Sequence, residues 1–168
     1  MKKILFTKGF TMVETLVAVA ILMIAIAGPL TIAQKGLTAA IYARDQVTAS
    51  FLAQDAMEYI KNVRDYNLEN NAGNWLSNLE GCTSSSKCNI DTTTTVNTTS
   101  DPSLYHDGEG YKPSGEIKSQ FNRTFYIDKV TNSNDSNNEA TVIVQVSWVN
   151  GTISNAVTFE NQIYNKQR

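Results

Sequence analysis

Lys8-Gly9-Phe10-Thr11-Met12-Val13-Glu14, followed at once by an apolar run to Ala33, is the stretch that decides the architecture of this 168-residue chain. Within residues 10–33 the only ionisable side chain is Glu14. About 20 helical residues cross the hydrocarbon core of a bilayer, so the run is long enough to span one. Lys2, Lys3 and Lys8 lie ahead of it, and the next basic residue is Lys35. The positive-inside rule then keeps the short N-terminus in the cytoplasm and sends the remainder outward. A cleavable secretory signal has an apolar region of about 7–15 residues followed by a small-residue cleavage site. Here the run is longer, and the glycine precedes it. A carboxylate inside such a segment costs roughly 2.5–3.5 kcal/mol on insertion scales, so a role for Glu14 is expected.

One role is local. Thr11-Met12-Val13-Glu14 has the form of a capping box, with Thr11 accepting from the Glu14 amide and Glu14 reaching back to the Thr11 amide. Further along, Gly28-Pro29 interrupts the run. A proline inside a helix removes one hydrogen bond and clashes with the preceding turn, at about 3 kcal/mol or more, and membrane helices accommodate this as a kink.

Helical spacing continues beyond Pro29. Leu37, Ala40, Ile41, Arg44, Val47, Phe51, Gln54, Asp55, Ala56, Tyr59, Ile60 and Val63 recur at steps of three and four, which predicts one apolar stripe on a helix reaching about Arg64. Arg44, Gln54 and Asp55 weaken that stripe. The helix is thus hydrophobic all round over residues 10–33 and amphipathic over 34–64. Its roughly 55 residues span about 80 Å at 1.5 Å per residue.

Residues 65–120 change character, being rich in Asn, Ser, Thr, Asp and Gly. Trp75, Leu76 and Leu79 suit a short anchored turn, and the threonine run from Thr92 to Ser100 reads as an exposed loop. The only two cysteines, Cys82 and Cys88, fall here. The topology places them outside the cytoplasm, where disulfides persist, so a local Cys82–Cys88 bond is expected. Residues 121–168 read as antiparallel strands. Phe121 to Ile127 alternates, and Val142, Val144, Val146 and Trp148 share one face of a second strand. Asn150-Gly151 is the favoured pair for a type I′ hairpin, and Ile153, Val157, Phe159 and Ile163 continue the return strand. So small a sheet needs a partner for its apolar face. The amphipathic half of the helix is the one candidate of adequate length.

Composition argues against several functions. A single histidine, His106, no glycine-rich phosphate loop and no paired catalytic motif speak against an enzyme, and no cofactor is expected. Two cysteines alone do not make a zinc site. Asp107-Gly108-Glu109 and the Asn/Asp-rich stretch from Asn132 to Glu139 offer oxygen ligands, but the spacing and central glycine of an EF-hand are missing, so turn chemistry is the expected role and no metal is assigned. Removing residues 1–9 takes three of 14 basic side chains and leaves 11 against 16 acidic ones, a formal net charge of −5. Such a surface repels phosphate on average, so no nucleic-acid partner is expected.

Gly9-Phe10-Thr11-Met12-Val13-Glu14-Thr15-Leu16 with its short basic leader resembles the N-terminal signal of type IV prepilins and pseudopilins. In that family a leader ends in glycine, phenylalanine usually follows, and glutamate stands fifth in the mature chain, where Glu14 stands if Phe10 is first. The stretch from Leu52 to Asp65 also resembles minor pilin-like proteins. The resemblance implies an α+β, pilin-like fold, with the long helix laid on a three- or four-stranded antiparallel sheet. It implies cleavage between Gly9 and Phe10 by a prepilin peptidase, methylation of the new Phe10 amine, and a leader at residues 1–9 that is removed. Glu14 is then the assembly carboxylate that meets the terminal amine of a neighbouring subunit, a role compatible with capping. Gly28-Pro29 falls where family helices loosen during assembly; a kink without that role is the alternative. The implied partners are other pilin or pseudopilin subunits, the peptidase and an inner-membrane assembly platform. The implied location is the bacterial inner membrane, single-pass with the C-terminal head outside the cytoplasm, and a surface filament after assembly. A minor pilus subunit is the leading reading and a type II secretion pseudopilin the second. From a different class, a membrane-anchored binding module that never polymerises is the third.

Overall fold

The computed structural model describes residues 9–70, 74–91, 98–108, 110–129 and 138–166. The expectations for the leader ahead of Gly9, for residues 92–97 of the threonine run, for Glu109 and for residues 132–137 lie outside these. The described residues form an α+β, pilin-like arrangement of one helix, α1 (Met12–Asn70), and seven strands. It divides into two units, residues 1–43 and 44–168.

The first unit is helical from Met12, and every described side chain from Gly9 to Ala40 is exposed. This part of α1 is long and apolar enough to cross a membrane, and none of its apolar window is buried.

The second unit holds the rest of α1 and two sheets. Strands β1 (Asn89–Ile90) and β2 (Thr98–Thr99) pair with each other. The main sheet has five antiparallel strands in the order β4-β3-β5-β6-β7. They are β3 (Ser103–His106), β4 (Tyr111–Lys112), β5 (Ile117–Lys129), β6 (Glu139–Asn150) and β7 (Ile153–Tyr164). The three long strands are those the alternation predicts. The short β3 and β4, drawn from the polar middle region, bring the count from three or four to five.

On β6, Ala140, Val142, Val144, Val146 and Trp148 are all buried, in strict alternation with half-buried Thr141, Ile143, Gln145 and Ser147. The period of two decides which face meets the core. Across from them lie Ile60, Met57, Ala56, Ala53, Leu52 and Ala49 of α1, with Phe121, Phe125 and Ile127 of β5 in the same core. Trp75, Leu76 and Leu79 close one end as the expected anchored turn.

Three sequence expectations need correction. The buried face of α1 is Asp45, Ala49, Leu52, Ala53, Ala56, Met57, Ile60, Val63 and Asn67, rotated from the predicted stripe. Leu37, Val47 and Phe51 are exposed instead. Ala49, Ala53 and Ala56, each fully buried, alternate on that face with buried Leu52, Met57 and Ile60, so the contact face combines small and large residues. The helix also runs past Arg64 to Asn70, because buried Asn67 donates through Nδ2 to the carbonyls of Trp75 and Ser77, at 3.3 and 2.9 Å. Finally, the β6–β7 loop sits one residue later than the Asn-Gly reading placed it. Asn150 pairs with Ile153, so Gly151 and Thr152 form the turn. Of these two residues Gly151 alone takes a positive φ, 62°. That sign pattern belongs to a type II′ turn, with glycine first, and not to type I′.

Candidate functional site

The N-terminal site is built by the first turn of α1. Thr11 accepts the Glu14 amide through Oγ1 at 3.3 Å, and its carbonyl accepts the Thr15 amide at 3.2 Å. Half of the capping box is therefore made, the half that satisfies an amide at the helix start. Phe10 is 80% exposed. Glu14 is also exposed and makes no ion pair among the described residues, so its carboxylate projects from an apolar helix surface. Gly9 has open space where a Cβ would stand. Among the described residues nothing covers the Gly9–Phe10 bond, and a carboxylate stands about one turn further along.

Further down, α1 is helical through Gly28 and Pro29. Pro29 cannot donate to the carbonyl four residues back, and the nearby Thr31 hydroxyl donates to the Ala27 carbonyl at 2.9 Å.

The second unit is organised by a disulfide and a buried arginine. Cys82 and Cys88 are joined, with their Cα atoms 5.4 Å apart. Between them, Thr83 and Ser86 exchange backbone hydrogen bonds at 3.0 Å. The ring docks on β5: Cys88 and Phe125 exchange bonds of 2.9 and 2.7 Å, and the Ile127 amide donates to the Cys82 carbonyl at 2.8 Å. Strand β3 pairs only with the first part of β5, Ile117 to Asn122. The disulfide ring thus covers the part of that edge that β3 leaves open.

Arg123, on the inner face of β5, is fully buried. Its guanidinium donates to Asn89 Oδ1 at 3.1 Å, to the Leu52 carbonyl and Asp55 Oδ2 at 3.3 Å each, and to the Ile90 carbonyl. Burial lowers its pKa from the ordinary value, and the Asp55 carboxylate works in the opposite direction. One side chain therefore ties α1, β1 and β5 together. Sequence reasoning missed it, although a signal was there: Arg123 occupies an inward position between Phe121 and Phe125. Asp45 is a second buried polar anchor, accepting from Arg44 at 2.9 Å and from Asn150 Nδ2 at 3.1 Å.

His106 stacks edge-on against Tyr111, centroids 5.0 Å apart, and its Nδ1 accepts the Gly108 amide. Asp107 accepts the Gly110 amide through Oδ1 and pairs with Lys112 through Oδ2 at 2.7 Å. These contacts are turn chemistry. No cluster of three or more metal-ligating side chains occurs among the described residues.

A long apolar helix with one carboxylate near its start, continuing onto an antiparallel sheet, is a pilin-type layout. Residues 7–28 match the family model described as the prokaryotic N-terminal methylation motif. That match gives the chain a type IV pilin-like prepilin signal and supports a pilin- or pseudopilin-type protein, a structural rather than enzymatic class. No curated protein and no solved structure matched the chain.

Proposed function

We propose that this chain is a structural, minor subunit of a type IV pilus-like filament. The observation that carries the reading is a methylation motif sitting on a helix whose whole apolar window is uncovered. Apolar surface of that length needs lipid before assembly and the packed helices of other subunits after it. Prepilin peptidase cuts between Gly9 and Phe10 and methylates the Phe10 amine. The cationic amine of one subunit then pairs with Glu14 of the next, a charge-assisted contact that sets register more than it adds stability. Gly28 and Pro29 supply the point where the helix bends or loosens during packing. Residues 10–33 form the membrane or filament-core half of the helix and 34–64 its head-packing half. Residues 65–120 form a variable region with the disulfide ring and 121–168 the sheet. The head stands outside the inner membrane, and its partners are other pilin subunits, the peptidase and the membrane assembly platform. The protein is not an enzyme.

Intact mass of the protein extracted from native membranes tests this directly. A chain beginning at Phe10 and carrying one added methyl group is expected. A chain still beginning at Met1 overturns the reading. Glu14→Ala tests assembly: it should remove the subunit from sheared filaments while leaving its membrane level unchanged. Unimpaired incorporation refutes the role given to Glu14.

A further inference from the structure

Strand β7 ends the main sheet, and among the described residues no strand lies on its outer side. It runs 12 residues in unbroken register with β6. It holds no proline or lysine, the residues with which natural edges are commonly blunted. Which of its backbone groups face outward follows from the two ends of the ladder. A two-residue turn makes Asn150 and Ile153 the closing, mutually hydrogen-bonded pair, so Ile153 bonds toward β6. At the other end the Asn165 amide donates to the Asn138 carbonyl at 2.9 Å, on the same side. Odd-numbered residues therefore bond inward. Ser154, Ala156, Thr158, Glu160 and Gln162 direct N–H and C=O to the open edge, and the carbonyl of Tyr164, last in that row, accepts from Arg64.

We propose that this edge pairs antiparallel with β7 of a second copy of the chain, about a two-fold axis through Thr158. That register sets Val157 opposite the second copy's Phe159 and Phe159 opposite its Val157. Both are half-buried apolar residues packed against the core with one flank open. Asn155 meets Asn161, and Ile153, 65% exposed, meets buried Ile163. Glu160 is the only ionisable carboxylate in β7. It falls opposite Ala156, so like charges do not oppose. A register centred on Phe159 instead sets Val157 against Asn161 and Ile163 against Asn155, leaving Phe159 against itself as its apolar pair. Beside the far end of β7 an open groove of about 760 Å³ is lined by Lys61, Arg64, Leu68 and Ile163 among others. The second copy's hairpin tip, Gly151-Thr152-Ile153, enters that groove, where Ile153 reaches Leu68 and Ile163. The contact uses the same patch twice and closes on itself. It does not rest on the filament reading.

Thr158→Cys in the full-length chain, extracted in detergent and mildly oxidised, tests the register. Directly opposed hydrogen-bonded residues sit about 5.5 Å apart at Cα, within the span of about 4.4–6.8 Å that a disulfide bridges. Thr158→Cys should run as a dimer on a non-reducing gel and return to monomer with reductant. Gln145→Cys, paired with Thr158 in the ladder but one strand in from the edge, should stay monomeric. An independent arm mixes chains carrying Ala156→Cys with chains carrying Glu160→Cys. Each alone should remain monomeric, and the mixture should give a heterodimer. A Thr158→Cys chain that stays monomeric while its thiol reacts with maleimide overturns the proposal, as does equal cross-linking by Gln145→Cys. Neither failure bears on the N-terminus, which intact mass reports by itself.

Discussion

Replacing Arg123 by alanine should be among the most damaging single changes in the head, and its size follows from the contacts. The substitution removes the donor from three acceptors at once: the Leu52 carbonyl, the Ile90 carbonyl and Asn89 Oδ1. Asn89 Oδ1 keeps the Ile90 amide at 2.8 Å and the Leu52 carbonyl keeps its place in the α1 ladder, so each loses one charge-assisted bond; the Ile90 carbonyl loses a third, and a cavity opens in addition. Partial relaxation offsets some of this, so a loss of about 3–5 kcal/mol is expected, within the range for truncating a large buried side chain to alanine. Asp55→Ala is the informative contrast. The Asp55 carboxylate is 52% exposed, so its attraction to Arg123 is screened and contributes about 1 kcal/mol or less. Arg123 then keeps its neutral acceptors. Urea unfolding of the full-length protein in detergent, followed by tryptophan fluorescence, reads both changes, because Trp75 and Trp148 are buried in the unit that Arg123 holds together. Equal losses for the two variants, or a loss below about 1 kcal/mol for Arg123→Ala, would refute the view that the backbone carbonyls, and not the ion pair, are the main partners.

Three further outcomes are expected. Ile60→Ala, at a fully buried site, should cost roughly 2–5 kcal/mol, whereas Phe51→Ala, 66% exposed, should stay within about 0.5 kcal/mol; thermal melts of both check which helix face meets the sheet. Cys82→Ser with Cys88→Ser should lower stability by about 2 kcal/mol, the loop-closure value for so short a ring, as a drop in urea midpoint that reductant reproduces in the wild type. Hydrogen bonds from the Ser103 backbone and side chain, with Lys118 adding to them, hold the Asp101 carboxyl below its ordinary value of 3.8. A depressed carboxyl stabilises the fold above that ordinary value, and the stability is lost as pH falls through the folded-state pKa. Asp101→Asn should therefore flatten the acid limb of a stability–pH curve and leave its slope near neutrality unchanged.

The strands were legible where alternation is strict. Val142, Val144, Val146 and Trp148 announce their face because each residue between them is more polar or stands over the opposite surface. The short β3 and β4 were not, since four and two residues carry no period. The helix was legible in type and start, but not in orientation. Alanine contributes little to an apolar pattern, so the packed row of Ala49, Ala53 and Ala56 was outweighed by Val47 and Phe51, which face solvent. Arg123 was hidden for a related reason: a charged residue within an alternating strand reads as outward unless its partners, which come from three separate segments, are known. At the N-terminus the cap was legible, because Thr11 and the Glu14 amide stand three residues apart and the contact is local.

The ring between Cys82 and Cys88 is fastened to β5 at both of its ends. Thr83, Ser84, Ser85 and Ser86 hang outward from those two fastenings and are all exposed. Lengthening the segment between Ser84 and Ser85 therefore changes neither the pairing of Cys88 with Phe125 nor that of Cys82 with Ile127. This loop is a natural cassette. An epitope of several residues placed there should display itself on the surface of the second unit without altering the sheet.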